Sequence, residues 1–177
     1  MKDHAGRIIN RVGSAMIDDR VHEKHLTMTV LMTPDMVNFS GKVHGGAILK
    51  ILDQVAYACA SRYCGQYVVT LSVDQVFFRQ PIHVGELVTF FASVNYTGRT
   101  SMEIGIKVIA EDPKKRSQRH AMSSFFTMVA TDKDGKPTVL PPLTLSTDDE
   151  KRRYQAAKDR RKLREDFEAA HHATREV

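Results

Sequence analysis

One segment of seventeen residues, 47–63, constrains the fold of this chain more than any other. Its plainly polar members are only Lys50, Asp53, Gln54, Ser61 and Arg62, so a helix formed here is apolar nearly all round. Such a helix must be covered by other elements on most of its sides. Gly65 supplies a stop just after the segment. We therefore predict one long, buried helix at the centre of the fold.

The segments on either side of this helix have the pattern of β-strands. Residues 26–32 alternate with a period of two until Pro34 ends the pattern. After the helix we predict three or four antiparallel strands within residues 68–78, 87–96, 101–111 and 120–130, with a hairpin turn at 97–100. A covered helix against one antiparallel sheet is an α+β fold.

The length of 177 residues is that of one compact domain. We divide the chain into an N-terminal extension (1–20), a folded core (21–145) and a charged C-terminal helix (146–177). Thr147 and Glu150 have the spacing of a capping box at the start of that helix. No segment reaches the ~18 apolar residues of a membrane span, and the first twenty residues lack the apolar region of a secretory signal. We therefore expect a cytoplasmic protein that contacts no membrane.

The formal net charge is +5, of which residues 148–177 carry +1 and the remainder +4. The basic run at 114–119 predicts a solvated loop between two strands. This excess suits anionic small-molecule ligands and is far short of a nucleic-acid-binding arm. Cys59 and Cys64 do not form a C-x-x-C pair, and the histidines form no ligand motif, so we predict no metal and two reduced, buried thiols.

Two features of the central helix could supply chemistry. His44, Gly45 and Gly46 open it, and the first N–H groups of a helix have no intrahelical partner. Glycine lets a carbonyl oxygen approach these groups closely, as an oxyanion hole requires, although an ordinary glycine-containing helix start has the same sequence. Asp53 follows two turns later. A carboxylate is unfavourable to bury unpaired, so Asp53 either serves a site or lies at a helix edge open to water.

The spacing of Gly46 and Asp53 bears on how many chains form the site. They are seven residues apart, so they share one helix face at a separation of about 10 Å along the axis. A reacting carbonyl held at Gly46 is therefore too far from the Asp53 of its own chain. The base could come from a second copy of the helix running antiparallel beside the first, which implies a catalytic dimer.

Three blocks in the sequence resemble a known family. They are the pattern Asn38-x2-Gly41-x2-His44-Gly45-Gly46-x6-Asp53, the stretch VTLSVDQVFFRQPIHVGELVTF and the stretch VNYTGRTSMEIGIKV. In order and spacing they are similar to the acyl-CoA hydrolase branch of the hotdog-fold thioesterases, over about residues 26–143. The resemblance implies a hotdog fold, in which an antiparallel sheet wraps a long helix and two protomers join sheets and share sites.

What the resemblance implies for function is hydrolysis of fatty acyl-CoA to free fatty acid and CoA. By this resemblance, the two catalytic residues of the family correspond to Asn38 and Asp53, which different protomers contribute. The amide of Gly46, with Gly45 beside it, would polarise the thioester carbonyl. Asn38 would orient the water or the thioester. Asp53 would activate water as general base or attack directly, and the sequence leaves both open.

The resemblance also implies where the rest of the substrate binds. Coenzyme A would lie near the 98–101 turn, where Arg99 could contact a phosphate and Thr100 and Ser101 offer hydrogen bonds, although a plain hairpin has the same sequence. His44 would order the loop beside the substrate rather than act as the base. We expect no cofactor, since CoA is part of substrate and product. The expected partners are the acyl-CoA and further copies of the chain, as a catalytic homodimer that assembles into a hexamer.

Three other functions have weaker support in the sequence. A hotdog dehydratase acting on acyl carrier protein would need a histidine base in a proline-rich motif, which is not found. A non-catalytic acyl-CoA or nucleotide sensor would not need Asp53. Nucleic-acid binding by residues 114–119 or by the C-terminal tail would call for a helix-turn-helix or an aromatic-interleaved basic face, and neither accompanies them.

Overall fold

The computed structural model describes residues 23–173 and places five strands and two long helices in them. The expected N-terminal extension (1–20) lies outside the described residues. The elements in chain order are β1 (His25–Leu31), a short 3₁₀ helix (Pro34–Met36), α1 (Gly45–Cys64), β2 (Tyr67–Val73), β3 (Leu87–Thr97), β4 (Ser101–Asp112), β5 (Ser117–Thr131) and α2 (Asp148–Ala173).

The five strands form one antiparallel sheet in the order β1-β3-β4-β5-β2. Helix α1 packs on one face of this sheet, where alternate residues of the long strands β3, β4 and β5 are buried with it in a single core. The prediction of an α+β fold with a long helix wrapped by an antiparallel sheet is confirmed. Because β2 pairs with β5 at the end of the order, it is an edge strand although it directly follows α1.

Helix α1 ends where predicted, and residues 23–173 leave one of its sides uncovered. It ends at Gly65, which has a left-handed φ of 66° that glycine adopts without strain. Nine of its residues are buried against the sheet. Five of its exposed positions form a stripe along one side: Leu49, Lys50, Asp53, Gln54 and Tyr57. We call these five residues the open stripe of α1.

The two cysteines lie near the end of α1, and the prediction that they are buried free thiols is confirmed. Burial raises the pKa of the Cys59 thiol to about 12, so this thiol stays protonated at neutral pH. Among residues 23–173, neither helix contains a stretch long and apolar enough to cross a membrane.

The structure differs from the sequence prediction at two places. Strand β2 ends at Val73 instead of near residue 78, because its pairing with β5 stops there. The Asp74 N–H still donates to the Phe125 carbonyl at 3.0 Å, and the Asp74 carboxylate accepts two hydrogen bonds from Arg164, at 2.9 and 2.7 Å. The basic run is not a solvated loop throughout. Its last residue, Arg119, lies in β5 and binds both carboxylate oxygens of the buried Glu86, at 2.8 and 2.7 Å.

Helix α2 starts with the predicted capping box and lies on the outer face of the sheet, opposite α1. The backbone N–H of Glu150 donates to Thr147 Oγ1, and that of Thr147 donates to Glu150 Oε2, both at 3.2 Å. Further along, Arg160 stacks 3.7 Å above the Phe125 ring and pairs with the buried Glu103 at 2.6 Å. The outer face is therefore held by ion pairs together with ring contacts, among them Tyr154 of α2 against Tyr96 of β3 at 5.2 Å between centroids.

Glu150 makes the start of α2 sensitive to acid. Its carboxylate binds Lys24 Nζ at 2.7 Å and also accepts the backbone N–H of Ser146 at 2.6 Å. The Lys24 bond is the largest cause that lowers the pKa of Glu150 from 4.5 to about 2. A carboxyl whose pKa is lowered on folding stabilises the folded state above its unfolded pKa, and that contribution is lost as pH falls through the folded value.

We therefore expect Glu150→Gln to lower the melting temperature near pH 6, and the difference from wild type to close as the pH falls from about 4.5 towards 2. Thermal unfolding followed by circular dichroism across this range measures the difference. The control is Asp134→Asn, which removes an exposed acid in the turn after β5 and leaves the contacts of α2 intact. A difference that stays constant down to pH 2 would contradict this role of Glu150.

Candidate active site

Asp53 lies on the open stripe of α1 and has a partner that the sequence analysis did not identify. Its Oδ1 accepts a hydrogen bond from Thr70 Oγ1 of the edge strand β2 at 2.6 Å. The two residues line a groove of about 320 Å³ together with Tyr57 and Tyr67, whose rings meet edge to face at 5.8 Å. The carboxylate is thus held in place while its groove stays open to solvent.

Thr70 gave no signal of its own in the sequence. Threonine is an ordinary strand residue, and seventeen positions separate Thr70 from Asp53. Only the packing of β2 against α1 brings the two side chains together. The one hint was that Thr70 lies within the VTLSVDQ stretch, which is part of the family resemblance.

Asn38 begins the loop that leads into α1, and this loop holds one end of its side chain. Its Oδ1 accepts hydrogen bonds from Ser40 N at 2.9 Å, Ser40 Oγ at 2.7 Å and Lys42 N at 3.2 Å. A bridge between Val37 and Val43 closes the loop. Because the oxygen is occupied, the Nδ2 group of Asn38 is the end that remains to donate hydrogen bonds to a ligand.

The start of α1 is capped by His44 from within its own chain. His44 Nδ1 accepts the N–H of Gly46 at 2.8 Å, and the His44 carbonyl accepts the N–H of Ala47 at 3.0 Å. This differs from the expectation that the Gly46 N–H points outward without a partner. Of the first three amides of the helix, it is that of Gly45 that has no acceptor within residues 23–173.

A phenylalanine side chain lies against this helix start. A Cβ at position 45 would come within 3.2 Å of Phe78 Cζ, so glycine is what allows the ring to pack there. Phe78 is half exposed, and Phe39, next to Asn38 in the loop, is fully exposed. The free amide of Gly45 is therefore bordered by apolar surface.

The 98–101 turn lies at the same end of the sheet as Thr70 but on other strands. Ser101 is paired with Val129 of β5, which is paired in turn with Val69 of β2. Two strand spacings of about 4.8 Å therefore separate Ser101 from Val69. The Arg99 side chain is exposed and makes no hydrogen bond or ion pair in the described part of the chain.

The structure gathers the predicted residues into three groups. Asn38, His44, Gly45 and Gly46 lie together at the start of α1, Asp53 lies with Thr70 in the groove, and Arg99, Thr100 and Ser101 form the hairpin turn. Along α1, Gly46 and Asp53 are about 10 Å apart. Residues 23–173 contain no cluster of three or more side chains that could hold a metal ion.

The chain is similar in sequence to known proteins. The model of the thioesterase superfamily matches residues 40–117. Over 146 residues the chain is 49% identical to the protein VdlD of Helicobacter pylori, covering 82% of this chain and 83% of that one. It is 33% identical over 128 residues to the uncharacterized acyl-CoA thioester hydrolase YkhA of Bacillus subtilis, covering 72% of this chain and 74% of the relative.

Solved structures agree with the sequence relatives. A hexameric acyl-CoA thioesterase superposes with a TM-score of 0.80 at 33% identity and covers 85% of this chain and 95% of its own. An acyl-CoA hydrolase of Staphylococcus aureus, solved with butyryl-CoA, CoA and CoA disulfide, superposes with a TM-score of 0.79 at 30% identity and covers 86% and 93%. Sequence and fold thus point the same way: the chain belongs to the acyl-CoA hydrolase branch of the hotdog-fold thioesterases.

Proposed function

We propose that this protein hydrolyses fatty acyl-CoA to a free fatty acid and CoA, at a site that two protomers complete, with Asp53 as the catalytic carboxylate. The observation that carries this proposal is the hydrogen bond from Thr70 to Asp53, which fixes one carboxylate oxygen in an open groove at the sheet edge. The other oxygen, Oδ2, is the one that takes part in the proposed reaction. It either takes a proton from the attacking water or attacks the thioester carbon itself.

The carbonyl of the thioester would bind at the start of α1. The Gly45 N–H has no acceptor in the described residues, and the Gly46 N–H becomes available when the His44 ring turns away from it. Both groups lie at the positive end of the helix dipole, where negative charge that develops on the carbonyl oxygen is stabilised. Asn38 would orient the water or the thioester through its Nδ2 group.

Distance and exposure support a second protomer at the site. The amides at Gly45 and Gly46 are about 10 Å from the Asp53 of the same helix, too far for one carbonyl group to meet both. Within residues 23–173, the open stripe of α1 and the edge strand β2 leave apolar side chains exposed beside Asp53, including Tyr57, Tyr67 and Val69. A two-fold partner paired along β2 would cover them and bring its own helix start to Asp53.

The spacing of three residues supports the assignment. Solved variants of the Staphylococcus aureus hydrolase carry alanine in place of one asparagine, one aspartate and one threonine. That aspartate follows the asparagine by fifteen positions and precedes the threonine by seventeen. Asn38, Asp53 and Thr70 have the same spacing in this chain.

The assignments for CoA, assembly and location remain proposals. Arg99 has no partner of its own in the described chain, which leaves it free to bind a phosphate of CoA, with Thr100 and Ser101 beside it. Assembly of dimers into a hexamer is supported by the hexameric relatives of known structure. No cofactor enters the proposed reaction. The cytoplasmic location expected from the sequence stays a prediction.

A test of the function is thiol release measured over a series of acyl-CoA esters from acetyl to palmitoyl. We expect turnover that depends on chain length, since exposed apolar surface, including Phe39 and Phe78, borders the helix start. Binding of these esters without turnover of any member would contradict the proposal and favour a non-catalytic acyl-CoA sensor.

Thr70 offers a test of the carboxylate geometry. We expect Thr70→Val to lower kcat by about 10- to 100-fold with little change in KM, because a lost hydrogen bond to a charged group is worth about 1.5–3 kcal/mol. Thr70→Ser retains the hydroxyl and should keep most of the activity. Equal kcat values for the valine and serine variants, measured by steady-state kinetics, would show that Thr70 only fills space.

A further inference from the structure

The far end of α2 presents an aromatic side chain where its own sheet has ended. Arg160 contacts the outer face of the sheet, through Glu103 of β4 and the Phe125 ring of β5. Phe167 follows Arg160 by seven residues and so lies within about 20° of it around the helix axis. Yet Phe167 is 73% exposed. The sheet-facing side of α2 therefore continues past the surface that residues 23–173 provide for it.

The position of the sheet edge beneath α2 can be read from a small cavity. Glu165 and Glu168 line this cavity together with Leu71 and Ser72 of β2. Helix α2 has thus reached the edge strand by residue 168. Five more residues of the helix follow, or about 7.5 Å at 1.5 Å per residue. That overhang is longer than the spacing of about 4.8 Å between neighbouring strands.

The chemistry of this helix face changes at the same point. Before the edge, Arg160 and Arg164 pair with acids of their own chain, Glu103 and Asp74. Beyond them the face carries Phe167, whose ring stacks on His171 at 6.3 Å between centroids. Leu71, which lies beside this end of the helix on β2, is also 67% exposed. Exposed apolar surface on the helix end therefore continues onto the open edge of the sheet.

We propose that the last part of α2, residues 165–173, is an arm that packs on the sheet of a second copy of this chain, with Phe167 as its anchor. The proposal rests on the dimer through β2 proposed above. In such a dimer the partner's β2 lies directly beyond this edge, under the overhang. Two-fold symmetry then gives each protomer one arm over its partner, so the dimer is held by the strand pairing and by two helix contacts.

The arm can be located by placing a photoreactive benzophenone amino acid at position 167 of the full chain. Control probes occupy position 71, on the edge strand, and position 139, which is exposed elsewhere. Mixed dimers of ¹⁵N-labelled and unlabelled chains distinguish links between chains from links within one chain by mass spectrometry. We expect the probes at 167 and 71 to link to the partner, and the probe at 139 to give no such link.

The controls separate failure of the arm from failure of the dimer. If the probe at 71 links two chains and the probe at 167 does not, the arm proposal is wrong while the β2 dimer stands. If neither probe links two chains, the β2 dimer is wrong and the arm proposal falls with it. A link from 167 to a second chain without one from 71 would place the helix end in another interface, and this also overturns the proposal.

A second measurement gives the size of the effect. Burial of one phenylalanine side chain in each of the two symmetric contacts predicts that Phe167→Asp raises the dimer dissociation constant by about 10²- to 10⁴-fold in sedimentation equilibrium. Phe167→Leu should restore most of the affinity. The matched control Val139→Asp places the same charge at an exposed apolar position away from α2 and should leave the constant unchanged. An unchanged constant for Phe167→Asp, with native circular dichroism, would overturn the arm.

Discussion

Replacement of Asp53 by asparagine is expected to lower kcat by about 10²- to 10⁴-fold, the range over which general acid–base groups contribute. Asparagine is nearly the same size and still accepts the hydrogen bond from Thr70 that holds this side chain at 2.6 Å. It cannot take a proton from water or attack a thioester. Because Asp53 is exposed at the surface, we expect the fold, the dimer and CoA affinity to change little.

The measurement is thiol release under saturating acyl-CoA, with CoA affinity determined separately by calorimetry. Asp134→Asn is the matched control, since it makes the same chemical change at an exposed acid in the turn after β5. Turnover of Asp53→Asn at the wild-type rate would mean that Asp53 is only a polar residue on an exposed helix edge, and the proposed mechanism would be wrong.

Mixing two inactive variants should restore activity, which tests the shared site directly. Asn38→Ala and Asp53→Ala are each expected to be inactive as homodimers. Unfolded together and reassembled in equal amounts, they should regain about a quarter of wild-type activity. Random pairing makes half of the dimers mixed, and the two-fold symmetry of a mixed dimer leaves one of its two sites intact.

A site formed within one protomer predicts a different result of the mixing experiment. If Asn38 and Asp53 act within one protomer, every site in the mixture lacks one of them, and mixing restores nothing. Native mass spectrometry gives the fraction of mixed dimers, so a lack of exchange is not mistaken for a lack of complementation. Activity near zero with half of the dimers mixed would overturn the cross-protomer site, and the argument from helix length would fall with it.

Much of the fold could be predicted because its signals are local. The apolar composition of α1, the stop at Gly65 and the capping box of Thr147 and Glu150 each depend on interactions within about one helical turn. All three occur as predicted. The end of β2 was misplaced because it depends on where the pairing with β5 stops, and β5 begins more than forty residues further along the chain.

The candidate site also combines features that could be predicted from the sequence with features that could not. The residues of the loop and helix, Asn38 to Asp53, stand in one short segment, and their spacing could be recognised in the sequence. The occupation of the Gly46 amide by His44 Nδ1 could not, because the same histidine ring can point towards the helix or away from it. Only the folded geometry identifies the Gly45 amide as the one that has no acceptor within residues 23–173.

By itself the sequence determined the central helix, the strands that follow it and the family. Helix composition, β-strand alternation and turn chemistry all depend on residues that are close together in the chain. Only the tertiary structure decided that Thr70 holds Asp53, that β2 is an edge strand and that the far end of α2 reaches it. Strand order and the placement of a helix on a sheet arise from contacts between segments far apart in the chain. Such contacts follow from how whole faces pack together, which the properties of one segment alone cannot specify.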